Sequence, residues 1–417
     1  MSTPLTRILA SRIWPVFGLT PILVLAAQAQ PNACNSTGAL KSATIALPAH
    51  PFAVRETQDG CWVFVSLLSN PAGKNAGLAV LKREASGALA LDHVFPLTSR
   101  PAGMALTHDG KLLIAAALDK LLFFDVQKLI AGSGDPIAGS FRDGPQESSI
   151  YVNVSPDDKL LFASEERSQS ITVIDLDRAR RNGFNASAVL GTIPTGQKPI
   201  ALTFSFDGKW LYTTSQVARP EWNWPKACKK EGEDAKSGQP KMVNPEGAVV
   251  VVDVERARSA PKESVAARIP AGCSPVRLAL SPKGDRLYVT ARNSNAVLAF
   301  DAAQLLSDGE HARLGMTPVG EAPVSLVVVE DGRRVVVGNS NRFGHSHSEQ
   351  SLTVLDTAKM EAGGGSGAEV NEIPAGAFPR EMIVSADGKA LLWTNFGSDS
   401  LQVLSEAQLA KALSGQR

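Results

Sequence analysis

The chain of 417 residues carries 42 Lys and Arg against 41 Asp and Glu, a formal net charge of +1, and is 44% hydrophobic and 20% charged. That composition is ordinary for a soluble globular protein, and its charge balance excludes a generic polyanion binder, because nucleic-acid affinity driven by phosphates needs a basic surplus. The length would allow two or three domains, but large all-β folds run long as single units.

The N-terminus has the grammar of an export signal. Arg7 and Arg12 form a positive n-region, Ile13 to Ala27 is an apolar stretch, and Ala27-Gln28-Ala29 offers a small-x-small cleavage site. Residues 1–29 are therefore expected to be a signal peptide, which leaves 40 basic against 41 acidic residues, formally −1. The competing reading is a membrane anchor, but the apolar run is short and contains Pro15 and Pro21. No later segment is long and apolar enough to span a bilayer. A short segment, residues 30–42, then leads into a repeat that fills residues 43–405 and is followed by a tail, 406–417.

In the repeat, a proline or its equivalent is followed after eight residues by a tight turn. The anchors are Pro51, Pro101, Ser149, Pro199, Pro275, Pro323 and Pro379, and the turns include Asp59-Gly60, Asp109-Gly110, Asp207-Gly208 and Asp387-Gly388. Seven copies at a period near 50 indicate a repeat architecture. Each copy reads as an apolar strand, a two-residue turn and a second β-branched strand, which is a hairpin. A third strand follows and usually ends in Asp, at Asp125, Asp175, Asp253, Asp301 and Asp356. A fourth often closes as Ile-Pro-x-Gly, as at Ile193 to Gly196, Ile269 to Gly272 and Ile373 to Gly376. Four strands in each of seven units predict an all-β, seven-bladed β-propeller of antiparallel sheets. The seventh unit runs into Glu406 to Leu413 without a fourth strand, and the first is preceded by a spare one, Ala43 to Pro48. That N-terminal strand is expected to complete the last blade and close the ring, removing open sheet edges.

Ser281-Pro282 with Leu287-Tyr288-Val289-Thr290, an Ile-Pro-Ala-Gly before and an Asp-ended strand after, resembles the YVTN-type propeller repeat. The resemblance covers residues 43–405 and implies kinship with YncE-like secreted proteins or with the seven-bladed lactonase family. The matched residues are turn, strand and ring-spacing positions, which any function would need. A D-L-G-x-D-type motif, which the lactonase branch would carry after its strands, is absent.

In such a ring the first strand of each unit lines a channel, the tight turns lie on a lower face, and the longer loops lie on an upper one. Length variation concentrates above, in Gln216 to Gly247, Asn339 to Gln350 and Asn70 to Gly77, and marks that face as the working surface. Residues one and three after the anchor are nearly always apolar, as in Phe52/Val54 and Val276/Leu278, and are expected to pack between blades. The alternate residues should face the channel. Among those, Arg277, Glu381, Tyr151 and Ser325 stand near the upper mouth and Arg55 a little deeper, a candidate ligand site. The bland reading is an Arg–Glu pair solvated by channel water.

In the unit-four insertion, Trp222 and Trp224 would point the same way on an extended segment and could stack a sugar or another ring; otherwise they pin the loop to its scaffold. Lys226, Lys229, Lys230 and Lys236 there are balanced by Glu231, Glu233 and Asp234. His345 and His347, with Glu349 nearby and His50 on the same face, could present two imidazoles to a divalent metal, or form a solvated loop. No other cofactor is indicated: covalent haem would need C-x-x-C-H, which is absent. Four cysteines allow three pairings. Cys228 and Cys273 both belong to upper loops of adjacent units, whereas Cys34 and Cys61 flank the ring closure near its lower end. Disulfides Cys228–Cys273 and Cys34–Cys61 are expected, in an exported setting that is periplasmic, cell-surface or extracellular.

Two functions follow. One is a non-catalytic, monomeric propeller that binds a small molecule or protein partner on its upper face. The other is a lactonase-like hydrolase with Glu381 as general base or metal ligand and Arg277 as oxyanion stabiliser. Neither G-x-S-x-G nor H-E-x-x-H occurs.

Overall fold

The computed structural model describes residues 38–69, 73–144, 148–233, 241–344 and 350–415. Seven four-stranded antiparallel sheets succeed one another along the chain as the blades of a propeller. Their innermost strands are Pro51–Glu56, Met104–Leu106, Ser149–Val154, Gln197–Phe204, Pro275–Leu280, Pro323–Val329 and Pro379–Val384. The strand Ala43–Ala46 supplies the outer edge of blade seven, pairing Ala43 with Val403 and Ala46 with Ser400. The ring is therefore closed by its N-terminus, as the spare strand predicts, and first and last blades hold each other.

The lower turns share one local device. Hydroxyls of Thr107, Ser155, Ser205 and Ser385 each donate to the Asp two residues on at 2.6 Å. That carboxylate also accepts the backbone N–H two residues further on, as Asp207 does from Lys209 at 3.1 Å. The Ser205 hydroxyl, then the Lys209 N–H, hold Asp207 below the usual carboxylate range. Blades five and six depart from this pattern: Ser281 donates to Asp285, four residues on, and Glu330 and Asp331 both take positive φ.

The recurring Asp at the third strand's end is a helix cap. Asp125, Asp175, Asp253 and Asp356 each accept the N–H three residues on and start helices of five or six residues, such as Val126–Ala131 and Leu176–Arg181. These helices are too short to show a 3.6-residue period, so only strands are legible there. The C-terminal helix, Glu406–Leu413, buries Leu409 and Leu413 against blade six, where Asn371 donates to the Ala412 carbonyl at 3.0 Å.

Large apolar side chains such as Phe64, Phe162, Phe300 and Trp393 are fully buried between sheets. Each contributes about 2–3 kcal/mol of transfer free energy. Cys228 and Cys273 form a disulfide with their Cα atoms 5.6 Å apart. Cys61 is also disulfide-bonded, while its expected partner Cys34 lies outside the described residues, as does the expected signal segment 1–29. Among the described residues no helix is long and apolar enough to cross a membrane.

Candidate functional site at the upper channel mouth

The channel side chains are aimed by a hydroxyl on the neighbouring strand. Fifteen residues after the anchor, blade five carries the Thr of its Tyr-Val-Thr, Thr290. Its oxygen accepts the Arg277 N–H at 3.0 Å and donates toward the Val324 carbonyl of blade six at 3.4 Å. Thr394 does the same for the Glu381 N–H, at 3.1 Å, and the Phe52 carbonyl of blade one, at 3.3 Å. Ser66 and Thr214 repeat the arrangement for Ala53 and Ala201. The hydroxyl occupies a bulge: Pro275 pairs with Ala291, but the next pair is Leu278 with Val289. A backbone N–H freed from the ladder is thus satisfied, the next blade is tied on, and the residue two after the anchor turns into the channel.

Four blades meet at Glu381. Its Oε1 accepts from Arg55 Nη1 and its Oε2 from the Tyr151 phenol at 3.0 Å, with Arg277 Nη2 3.5 Å from Oε2. The Arg277 guanidinium lies 3.8 Å over the Tyr151 ring, which sits 5.4 Å from Phe52. Glu381 is 6% exposed. Burial pushes Arg277 down to about 9; Glu381 opposes that shift, while Arg380, Arg55 and Arg292 add to it. Gly103 makes room for the phenol, since a Cβ there would stand 2.4 Å from Tyr151 Cδ1.

These groups border one cavity of about 260 Å³, which Ser325 also lines. The Ser325 hydroxyl is buried with no hydrogen-bond partner among the described residues. All five residues read from the sequence as a channel cluster therefore share a cavity, and four of them, Arg55, Tyr151, Arg277 and Glu381, engage one another while Ser325 stands apart. Residues three after the anchor are buried in the core, as expected of positions that pack between blades. Leu278, Leu326 and Met382 also reach the cavity, because the bulge shifts the register of the inner strand.

The remaining candidates stand apart. Trp222 closes a 3-10 turn and Asn223 adopts a left-handed conformation, so the segment is not extended as expected. The Trp222 and Trp224 rings are 5.3 Å apart and tilted by 59°, with Arg268 5.2 Å over Trp222. Both rings pack partly buried against the core, which fits the pinning role, and Trp224 lines a separate groove of about 410 Å³ with Ile269 and Pro270. His345, His347 and Glu349 lie outside the described residues. His50 stacks on Phe396 at 4.8 Å and bonds Asp399 at 2.6 Å. Among the described residues no group of three or more His, Cys, Asp or Glu could hold a metal.

The upper rim adds charges outside the predicted channel cluster. Arg292 is buried and reaches Gln216 at 2.9 Å and Glu231 of the unit-four insertion. The same insertion lies against blade six, with Gly232 on the Phe343 ring. Arg380 stacks 3.7 Å over Phe52. Six of the seven copies carry an apolar residue one after the anchor and blade seven carries Arg380; that break in the pattern is the signal that could have found it. A second buried polar centre lies in blade three, where Ser149 donates to Asp143 at 2.8 Å and to Glu165 at 3.1 Å.

Residues 246–414 match the family model described as lactonase, 7-bladed beta-propeller. The match holds Arg277, Ser325 and Glu381 but neither Arg55 nor Tyr151. No curated protein matches the chain. Among solved structures, a chain of Kuenenia stuttgartiensis hydrazine synthase is similar with a TM-score of 0.60 and 17% identity, over 87% of this chain and 97% of that one. A chain of a mitotic checkpoint complex is similar with a TM-score of 0.60 and 13% identity, over 93% and 99%. The beta-propeller domain of Myceliophteria thermophila Cps50 (Swd1) follows with a TM-score of 0.57 and 11% identity, over 88% and 99%. At such identities the likeness is one of fold.

Proposed function

We propose that this chain is an exported propeller that binds a small molecule in the upper channel, around Glu381. The observation that carries the reading is the convergence of Arg55, Tyr151 and Arg277, from three other blades, on one buried carboxylate beside a cavity of about 260 Å³. Holding a buried carboxylate against two half-buried guanidiniums is costly, and well-packed apolar residues in such a place are often as stabilising or more so. Such a cluster retained beside a cavity points to recognition. The orphan Ser325 hydroxyl offers a ligand a further hydrogen bond. Export is supported by the Cys228–Cys273 disulfide.

A second reading, lactonase-like hydrolysis, is favoured by the family-model match over residues 246–414. For that chemistry Glu381 would accept a proton from water on a lone pair not taken by Arg55 or Tyr151, each of which occupies one site on its two oxygens. Arg277 would then face the developing oxyanion.

Both readings are tested by screening purified protein and Glu381→Gln against a lactone panel and a metabolite library, with elemental analysis of both preparations. Binding without turnover, lost in the variant, supports the first reading, and turnover lost in the variant supports the second. Ligands bound with equal affinity by the variant would place the site elsewhere.

A further inference from the structure

We propose that the upper mouth contains an anion-binding subsite centred on Arg380, which takes the carboxylate or phosphate group of a small organic acid. This rests on reading the channel mouth as a ligand site. Arg380 Cζ lies 3.7 Å from the Phe52 ring centre, 5.1 Å from Phe396 and 5.4 Å from Phe378. Stacking on rings uses the flat faces of a guanidinium and leaves its five N–H donors pointing outward in the plane. Among the described residues none of these donors has a hydrogen-bond or ion-pair partner, and Nε is buried without one. A confined guanidinium without an acceptor is a costly arrangement unless a ligand completes it.

The surroundings favour an anion. Burial pushes Arg380 down to about 9, with Arg342 and Arg292 adding to the shift and Glu381 and Glu166 opposing it. Of the nearby carboxylates, Glu381 serves Arg55, Tyr151 and Arg277 and Glu231 serves Arg292, which leaves Glu166 against Arg380 and Arg342. Arg342, exposed at the rim 5.8 Å from Phe378, has no hydrogen bond or ion pair among the described residues. Positive charge thus exceeds negative where the channel opens. A planar fork suits a bidentate carboxylate or phosphate.

The test is calorimetric titration of the purified protein with inorganic phosphate and with acetate, at constant ionic strength in chloride. Saturable binding of at least one is expected, and the preferred probe distinguishes a phosphate ester from a carboxylic acid as the natural source. Arg380→Gln should weaken binding by at least about tenfold, the loss of a charge-assisted pair. Its melting temperature without anion should change little, because an unpaired, half-buried cation is removed together with its stacking on Phe52. Arg342→Gln, at an exposed site where folding is not at stake, should weaken binding by a few-fold through lost charge. Absence of saturable binding, or wild-type affinity in both variants, overturns the inference. A neutral ligand that needs Glu381 but not Arg380 overturns it as well and leaves the channel site standing. Phosphate binding that needs Arg380 but survives in Glu381→Gln supports it even if the cavity reading fails.

Discussion

The Tyr151 phenol donates to Glu381 Oε2 at 3.0 Å across a sequence separation of 230 residues, joining blade three to blade seven through the channel. The ring also carries the Arg277 guanidinium on its face. Tyr151→Phe keeps the ring and removes the hydroxyl. It is expected to cost about 1–3 kcal/mol in urea unfolding, because a buried carboxylate loses a donor. A variant as stable as wild type would mean that the two arginines alone satisfy Glu381.

Gly103 is required by that phenol. A Cβ at position 103 would meet Tyr151 Cδ1 at 2.4 Å and the Ile150 carbonyl oxygen at 2.7 Å. Gly103→Ala should therefore destabilise by about 1–3 kcal/mol through overpacking and displace the ring from Glu381, both readable from unfolding curves and a variant crystal structure.

The bulge hydroxyls make a sharper case. Thr290→Val preserves shape but leaves the Arg277 N–H without its acceptor. A loss of about 1–3 kcal/mol is expected, together with weaker binding of any channel ligand, since Arg277 is aimed from that bulge. Blade two has Ala116 at the equivalent position and so has no bulge hydroxyl to remove.

These hydroxyls explain how much of the site was readable. The position two after the anchor faces the channel because the bulge turns it there, so Arg277, Glu381, Tyr151 and Ser325 are visible as departures from small residues. Which of them touch depends on side-chain reach across the ring, and no spacing encodes that. Arg380 escaped notice because six copies make its position apolar, which hides the seventh as an exception within a packing layer. The blade count, turn positions and closing strand are legible because each is a local period repeated seven times. The capped helices are not, being shorter than the period that reveals a helix.

Stability should fall toward alkaline pH through blade three. Burial raises the Glu165 carboxyl to about 9, and the neighbouring Asp143 adds to the shift. An unfolded glutamate ionises near 4.5, so between the two values the folded state holds a proton that the unfolded state has released. The stabilisation is complete below about 4.5 and is lost as pH rises toward 9. Glu56 acts likewise over a narrower window: burial raises it to about 7, against the Ala386 N–H that its carboxylate accepts at 2.6 Å. Glu165→Gln should flatten the decline of melting temperature between pH 7 and 9; an unchanged slope would assign the decline elsewhere.

The unit-four insertion should be released by opening the Cys228–Cys273 bridge. Closing a loop with a sequence separation of 45 contributes about 4 kcal/mol in the chain-entropy picture. The double Cys→Ser variant is expected to retain a folded ring and to be cleaved first within residues 229–246 by limited proteolysis. Cleavage beginning in the blades would show that the bridge supports the ring itself.

The most direct measurement is a crystallographic fragment soak of the intact protein. Ligand density is expected inside the channel cavity, in contact with Glu381, Arg277 or the Ser325 hydroxyl. Fragments confined to outer grooves such as that of Trp224, with the cavity empty of ligand at every soak, would contradict the assignment of the channel mouth as the binding site.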